Sequence, residues 1–248
     1  MISKQKKISF FVASCLRVGC ILFIFLLVQS VWAKPRIVLD AAHGGNDSGV
    51  KSGREVEKDW NTKIAQALQK AFEEKGFEVV VVRKGDTAVT EEKRSELINT
   101  SQASAAIILH ADREFTGAQK GPCLVIEPPS KADQAETGES QKWGFISLSQ
   151  YHASLKLART IAQNLGMEPA FSALSDSRGL GGETPSAEGG IYCLPHQSLR
   201  YLTLPSVVLT PLFLSSASDI KKFSNADYLS GFAEKVVRGT SEYLQLAP

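Results

Sequence analysis

RIVLDAAHGG, residues 36–45, opens with the apolar run Arg36 to Ala41 and then passes directly into a histidine and two glycines. The run has no polar alternation, so it reads as a strand buried on both faces, the kind found in parallel sheets covered by helices. The sequence on either side supports that reading. From about Glu57, Trp60, Ile64, Leu68 and Phe72 recur every four residues and place an apolar stripe on one face of a helix that ends at Gly76. FEVVVVR (77–83) reads as a second strand and Ala88 to about Ser101 as a charged second helix. AAIILH (105–110) and CLVIE (123–127) are the third and fourth strands.

A polar stretch to about Lys142 reads as a surface loop, and Leu148 to Leu165 as a helix. Phe171 to Gly190, which contains GLGG, reads as a second long loop. Ile191 to Leu194 and Ser206 to Leu209 are the last strands, and Asp227 to Leu246 closes the chain as an amphipathic helix. Strands alternating with helices predict an α/β fold: a mostly parallel twisted sheet of about six strands, helices on both faces, in a single domain over 34–248.

The N-terminus reads differently. Lys4, Lys6 and Lys7 precede an apolar stretch broken by Arg17, and Val31-Trp32-Ala33 suits signal-peptidase cleavage before Lys34. Residues 1–33 are therefore expected to be an export signal. An uncleaved membrane anchor is the alternative, and Val12-Ala13-Ser14-Cys15 has lipobox chemistry behind a short apolar region. Four of the 28 basic residues and none of the 26 acidic ones fall in 1–33. The rest of the chain thus carries two more acidic than basic groups, which argues against a nucleic-acid partner. Cys15 and Cys20 fall within the leader. Cys123 and Cys193 remain, and export would permit a disulfide between them or leave both as buried thiols.

Chemistry is expected where strands end, because ligands of open α/β sheets gather outside the carboxyl ends of the strands. His43 follows the first strand, among glycines that allow a tight turn, and His110 ends the third. Glu57 opens the first helix on the loop side of the same edge. Singly, each has an ordinary explanation: a hydrogen-bonded histidine, or an acid favoured by the helix dipole. Together, two imidazoles and one carboxylate form the His₂Glu set that suits catalytic Zn²⁺ and leaves a fourth position for water.

IVLDAAHGG, then VEKDWN, VVVVRKGDT with Arg94 in the next helix, and IILHAD resemble the zinc-dependent N-acetylmuramoyl-L-alanine amidases with an amidase-3 catalytic domain. LPSVVLTPLFLSS (204–216) resembles the last strand of that family. The resemblance covers residues 36–246. It implies zinc ligands at His43, Glu57 and His110, and peptidoglycan as substrate, cut between the lactyl group of muramic acid and L-alanine. It also implies periplasmic localisation and allows a protein activator; no stable oligomer is implied.

One position departs from the family pattern. The last strand of the family ends in a glutamate that handles the proton of the attacking water, and here that position is Thr210. A threonine hydroxyl cannot act as a base near neutral pH. Glu183 and Glu188, in GLGGETPSAEGG, are weak substitutes, better read as solvated loop residues. No inhibitory helix is expected after His110. His152 and His196 match no ligand position and read as surface or structural residues. The competing functional readings are a catalytically impaired homologue that binds peptidoglycan or zinc as a regulator or scaffold, and a zinc hydrolase acting within the stem peptide.

Overall fold

The computed structural model describes residues 34–112, 121–129, 146–167, 171–173 and 190–245. Residues Pro35–Pro248 form one compact unit. Seven strands make the main sheet: β1 (Arg36–Ala41), β4 (Glu78–Val81), β5 (Ala105–Leu109), β6 (Cys123–Ile126), β7 (Phe171–Ala173), β8 (Ile191–Cys193) and β9 (Ser206–Thr210), in the order β4-β1-β5-β9-β6-β8-β7. Every neighbouring pair is parallel except β6 with β9. The carboxyl ends of β1, β5 and β9 therefore share one rim, and β6 starts there and runs away from it.

Among the described residues the helices are α1 (Glu57–Glu74), α2 (Glu91–Thr100), α3 (Leu148–Leu165), α4 (Ala217–Ser224) and α5 (Ala226–Tyr243). One face of the sheet, with Ile37, Leu39, Ile107, Leu109, Leu124 and Leu209, packs under α1, α3 and α5. The predicted stripe of α1 is the buried one: Trp60, Ile64, Leu68 and Phe72 are all in the core. Gly239 of α5 lies so close to α3 that a Cβ there would meet the Ile161 Cα at 2.6 Å. The other face, with Val38, Ala106, Ile108, Val125 and Val208, is covered by Ile98 of α2 and by Leu199 and Leu202.

The structure corrects several boundaries. The main sheet has seven strands, because Phe171–Ala173, read from sequence as loop, pairs in parallel with β8 as an edge strand. Three residues are too few to carry a periodic signal. A two-stranded hairpin, β2 (Lys51–Ser52) and β3 (Glu55–Val56), precedes α1 and turns at Gly53, whose φ of 60° suits glycine. The charged second helix starts three residues later than its pattern suggested, at the Thr90 N-cap, whose side chain accepts from the Lys93 N–H at 3.3 Å. The closing helix is preceded by α4, capped by Ser216, which the sequence reading did not include.

Cys123 and Cys193, the cysteines among the described residues, are free. Cys193 stands opposite Ile126 rather than Cys123, and the two belong to the cores on opposite faces of the sheet. No disulfide can join them without rebuilding the strand pair. The leader, with its anchor and lipobox alternatives, lies outside the described residues, as do Glu183 and Glu188.

Candidate metal centre

β1 ends in a strained loop. His43 has φ 65°, and Gly44, Gly45 and Gly49 all have positive φ. The strain is held by a ring of contacts. Asn61 Nδ2 donates to the Ala42 carbonyl at 3.2 Å, Lys58 Nζ to the Gly45 carbonyl at 2.9 Å, and the Gly45 N–H to Asp86 Oδ1 at 2.7 Å. Arg94 Nη2 donates to the His43 carbonyl at 2.7 Å, and its Nη1 pairs with the buried Asp40 carboxylate. The second strand ends at Val81, and the guanidinium of Arg83 beyond it serves the same loop, donating to the Ala41 carbonyl at 3.0 Å.

Glu57 is brought to this loop by the hairpin. Its N–H donates to the Val50 carbonyl at 3.0 Å, and its Oε2 accepts from the Val50 N–H at 2.8 Å. The carboxylate is 1% exposed, yet it meets both histidines. His110 Nδ1 lies 2.8 Å from Oε1 and His43 Nε2 lies 3.2 Å from Oε2. Burial opposes the charge on Glu57, but the bonds from His110 and His43 outweigh it and hold the carboxyl well below its ordinary range. Burial also opposes a charge on His43, and there the bonds to Glu57 and Asp47 win, pushing it up to about 9. Asp47 Oδ2 sits 2.8 Å from His43 Nδ1 and orients the ring with Nε2 toward Glu57.

The three residues predicted from sequence are thus brought together. Donor atoms of His43, Glu57 and His110 all lie within 4.8 Å of one another, a group that could hold a metal ion. The donor set fits zinc on two further grounds. His110 Nε2 is buried without a hydrogen-bond partner, and a cation would take the place of the proton between His43 Nε2 and the carboxylate. Gly49 closes the site from below, since a Cβ there would meet Glu57 Oε2 at 2.5 Å and His43 Cδ2 at 2.6 Å.

The family model for N-acetylmuramoyl-L-alanine amidases of the amidase-3 type matches residues 37–242. The chain belongs to that family. The probable cell wall amidase LytH of Staphylococcus aureus is 43% identical over 116 residues, which cover 45% of this chain and 38% of LytH. Among solved structures, the N-acetylmuramoyl-L-alanine amidase from Clostridium difficile 630 aligns with a TM-score of 0.60 at 24% identity, over 86% of this chain and 97% of that one. The CwlD amidase from Clostridioides difficile, solved in complex with the GerS lipoprotein, aligns with a TM-score of 0.61 at 21% identity, over 86% and 99%. These likenesses place the fold of this amidase-family chain among those structures.

Thr210 ends β9 beside His110 on the same rim, with Leu109 and Leu209 in register just before them. It is 3% exposed and stands opposite Cys123, its register partner on β6. Burial pushes the Cys123 thiol up to about 12. In this member of the amidase family the residue that ends the last strand is thus a buried threonine.

His152 is exposed, as its sequence context suggested. His196 is half-buried beside the candidate site. Its ring packs against that of His110 with centroids 5.1 Å apart, as the ring of His43 does from another side at 5.2 Å. The His196 N–H donates to Glu127 Oε2 at 2.7 Å, and burial pushes the ring down to about 3, with His110 adding to the effect. Burial likewise raises Glu127 to about 7. Asp47 had a signal in the sequence, a carboxylate four residues after a loop histidine, and Glu127 had one, an acid ending the apolar strand CLVI. His196, within LPHQSL, had none.

Proposed function

We propose that this protein is a zinc-dependent hydrolase of peptidoglycan that cleaves the amide between the lactyl group of N-acetylmuramic acid and L-alanine. One observation carries the reading: His43, Glu57 and His110 converge within 4.8 Å in a chain of the amidase family. These three would hold the zinc, and three protein donors leave a coordination position for reacting groups. When bound, zinc supplies Lewis-acid polarisation of the carbonyl and acidification of the attacking water. The protein's own residues make that position reproducible. Asp47 fixes the His43 ring, Arg94 and Lys58 fix the loop beneath it, and the Val50 N–H helps keep Glu57 ionised.

Residues 1–33 support export to the periplasm, and the complex of the related CwlD with a lipoprotein supports a protein activator here too. A second reading is favoured by one specific observation. Thr210 ends β9 beside His110 at the position where the family pattern has a glutamate, so β9 brings no carboxylate to that rim. A homologue so altered would bind peptidoglycan and cut it slowly, since general acid–base action contributes ~10²–10⁴-fold.

The test is digestion of purified peptidoglycan by the zinc-loaded protein, with products resolved by mass spectrometry beside His110→Ala and Thr210→Glu. Whole stem peptides released by the wild type and not by His110→Ala establish the amidase. Release by Thr210→Glu alone establishes the impaired homologue, and shortened stem peptides would show a peptidase instead.

A further inference from the structure

The face of the sheet opposite α1, α3 and α5 carries more than apolar packing. Strand alternation puts His110 above Ile108 and Ala106, Thr210 above Val208, and Glu127 beyond Val125 and Cys123, all on this face. The segment after β8 folds back across it. Leu199 and Leu202 are buried there, and His196 comes to rest with its ring edge to face against His110. The segment is anchored at Glu127, which is 1% exposed, gives Oε2 to the His196 N–H and keeps Oε1 without a partner.

The ring of His196 is also fixed as to which nitrogen can donate. The Ser198 N–H donates to Nδ1 at 3.3 Å, so Nδ1 is an acceptor and the ring proton sits on Nε2. The ring is half-buried, and Nε2 is not among the buried polar atoms lacking a partner. A donor held beside a candidate metal centre by a ring contact and a backbone bond can act as an oxyanion-stabilising group. It stands on the same face as Thr210, the buried residue with which the last strand ends.

We propose that His196 is a catalytic residue of this site, donating from Nε2–H to the carbonyl oxygen of the amide under attack. Ser198 and Glu127 act as positioning residues through its Nδ1 and its backbone N–H. The inference rests on the amidase reading above, and it adds a protein donor to the group formed by His43, Glu57 and His110.

The full-length protein, zinc-loaded, is assayed on a defined muramoyl-peptide beside His196→Phe and His196→Gln, with bound zinc measured for each. The tautomer of His196 is read independently by nitrogen-15 NMR of the histidine-labelled, metal-free wild type. The expected result is a fall in kcat of about 10²–10³-fold in His196→Phe at unchanged zinc content, the size seen when one oxyanion donor is lost. His196→Gln, which retains an N–H donor, should recover part of it, and the NMR spectrum should show the proton on Nε2. Turnover by His196→Phe within threefold of the wild type would overturn the proposal, as would loss of zinc in step with activity or a proton on Nδ1. Absence of turnover by the zinc-loaded wild type would overturn the amidase reading and this proposal together, whereas normal turnover by His196→Phe would overturn this proposal alone.

Discussion

Arg94 donates from Nη2 to the main-chain carbonyl of His43 at 2.7 Å, joining the second helix to the backbone of a candidate metal ligand. The same guanidinium pairs with Asp40, and both side chains are almost wholly buried. Arg94→Leu would leave the Asp40 carboxylate buried and uncompensated, at a cost of about 3–5 kcal/mol. Asp40→Leu combined with Arg94→Leu should regain most of that stability while zinc affinity stays weakened, because nothing then holds the His43 carbonyl. Urea denaturation and zinc calorimetry on the two variants separate the effects.

Zinc binding should release a proton. His43 is raised to about 9 in the metal-free protein, so at pH 7 it is charged and the metal must displace that proton from Nε2. The affinity therefore rises with pH until about 9. In the metal-free protein the sign is opposite: the raised histidine contributes stability that is complete below about 6.5 and is lost as the pH climbs through about 9. Calorimetry at pH 7 in buffers of different ionisation enthalpy measures the first, and thermal melts of the chelated protein the second.

Gly49→Ala should lower zinc affinity by at least about tenfold, since a distortion of the ligand pair costing about 1.4 kcal/mol already gives that factor. The new Cβ meets Glu57 and His43 inside van der Waals distance at a φ of +61°. Gly53→Ala is the control. Its φ is +60°, with nothing within 4 Å, so it carries the backbone cost without touching the site. Equal zinc affinity in the two variants would show that the Gly49 contacts do not matter.

Glu127→Gln should stabilise the protein at alkaline pH and leave it unchanged at acidic pH. Burial raises the Glu127 carboxyl to about 7, so the unfolded chain loses its proton first and stability falls between about 4.5 and 7. Glutamine has no such proton to lose and can still accept from the His196 N–H. The expected gain above pH 7 is roughly 3 kcal/mol, and identical melting temperatures at pH 4.5 and pH 8 would refute it.

Sequence pattern was a good guide wherever an element is long and its apolar residues recur with one period. The helix from Leu148 to Leu165 and the strand from Arg36 to Ala41 have the expected bounds, and the stripe from Trp60 to Phe72 faces the core. Pattern failed on short elements. The hairpin at Lys51–Val56, the edge strand at Phe171–Ala173 and the helix at Ala217–Ser224 are set by pairing partners and caps, which periodicity does not report. The cysteine pair was open for a similar reason: two strand residues close in space can still point to opposite faces.

By itself, then, the sequence determined the α/β layering and the trio His43, Glu57 and His110, because strand ends and a helix start on one rim are a local property of element order. It also marked Thr210 as the position lacking a carboxylate. Tertiary structure alone decided what surrounds that position. Thr210 stands opposite Cys123 because β6 runs antiparallel to β9, and His196 reaches His110 because the segment after β8 folds back over the sheet. Contacts across 53 residues, as between Glu57 and His110, can be anticipated when each residue ends an element. Contacts made by an aperiodic loop exist only once the sheet it crosses has formed.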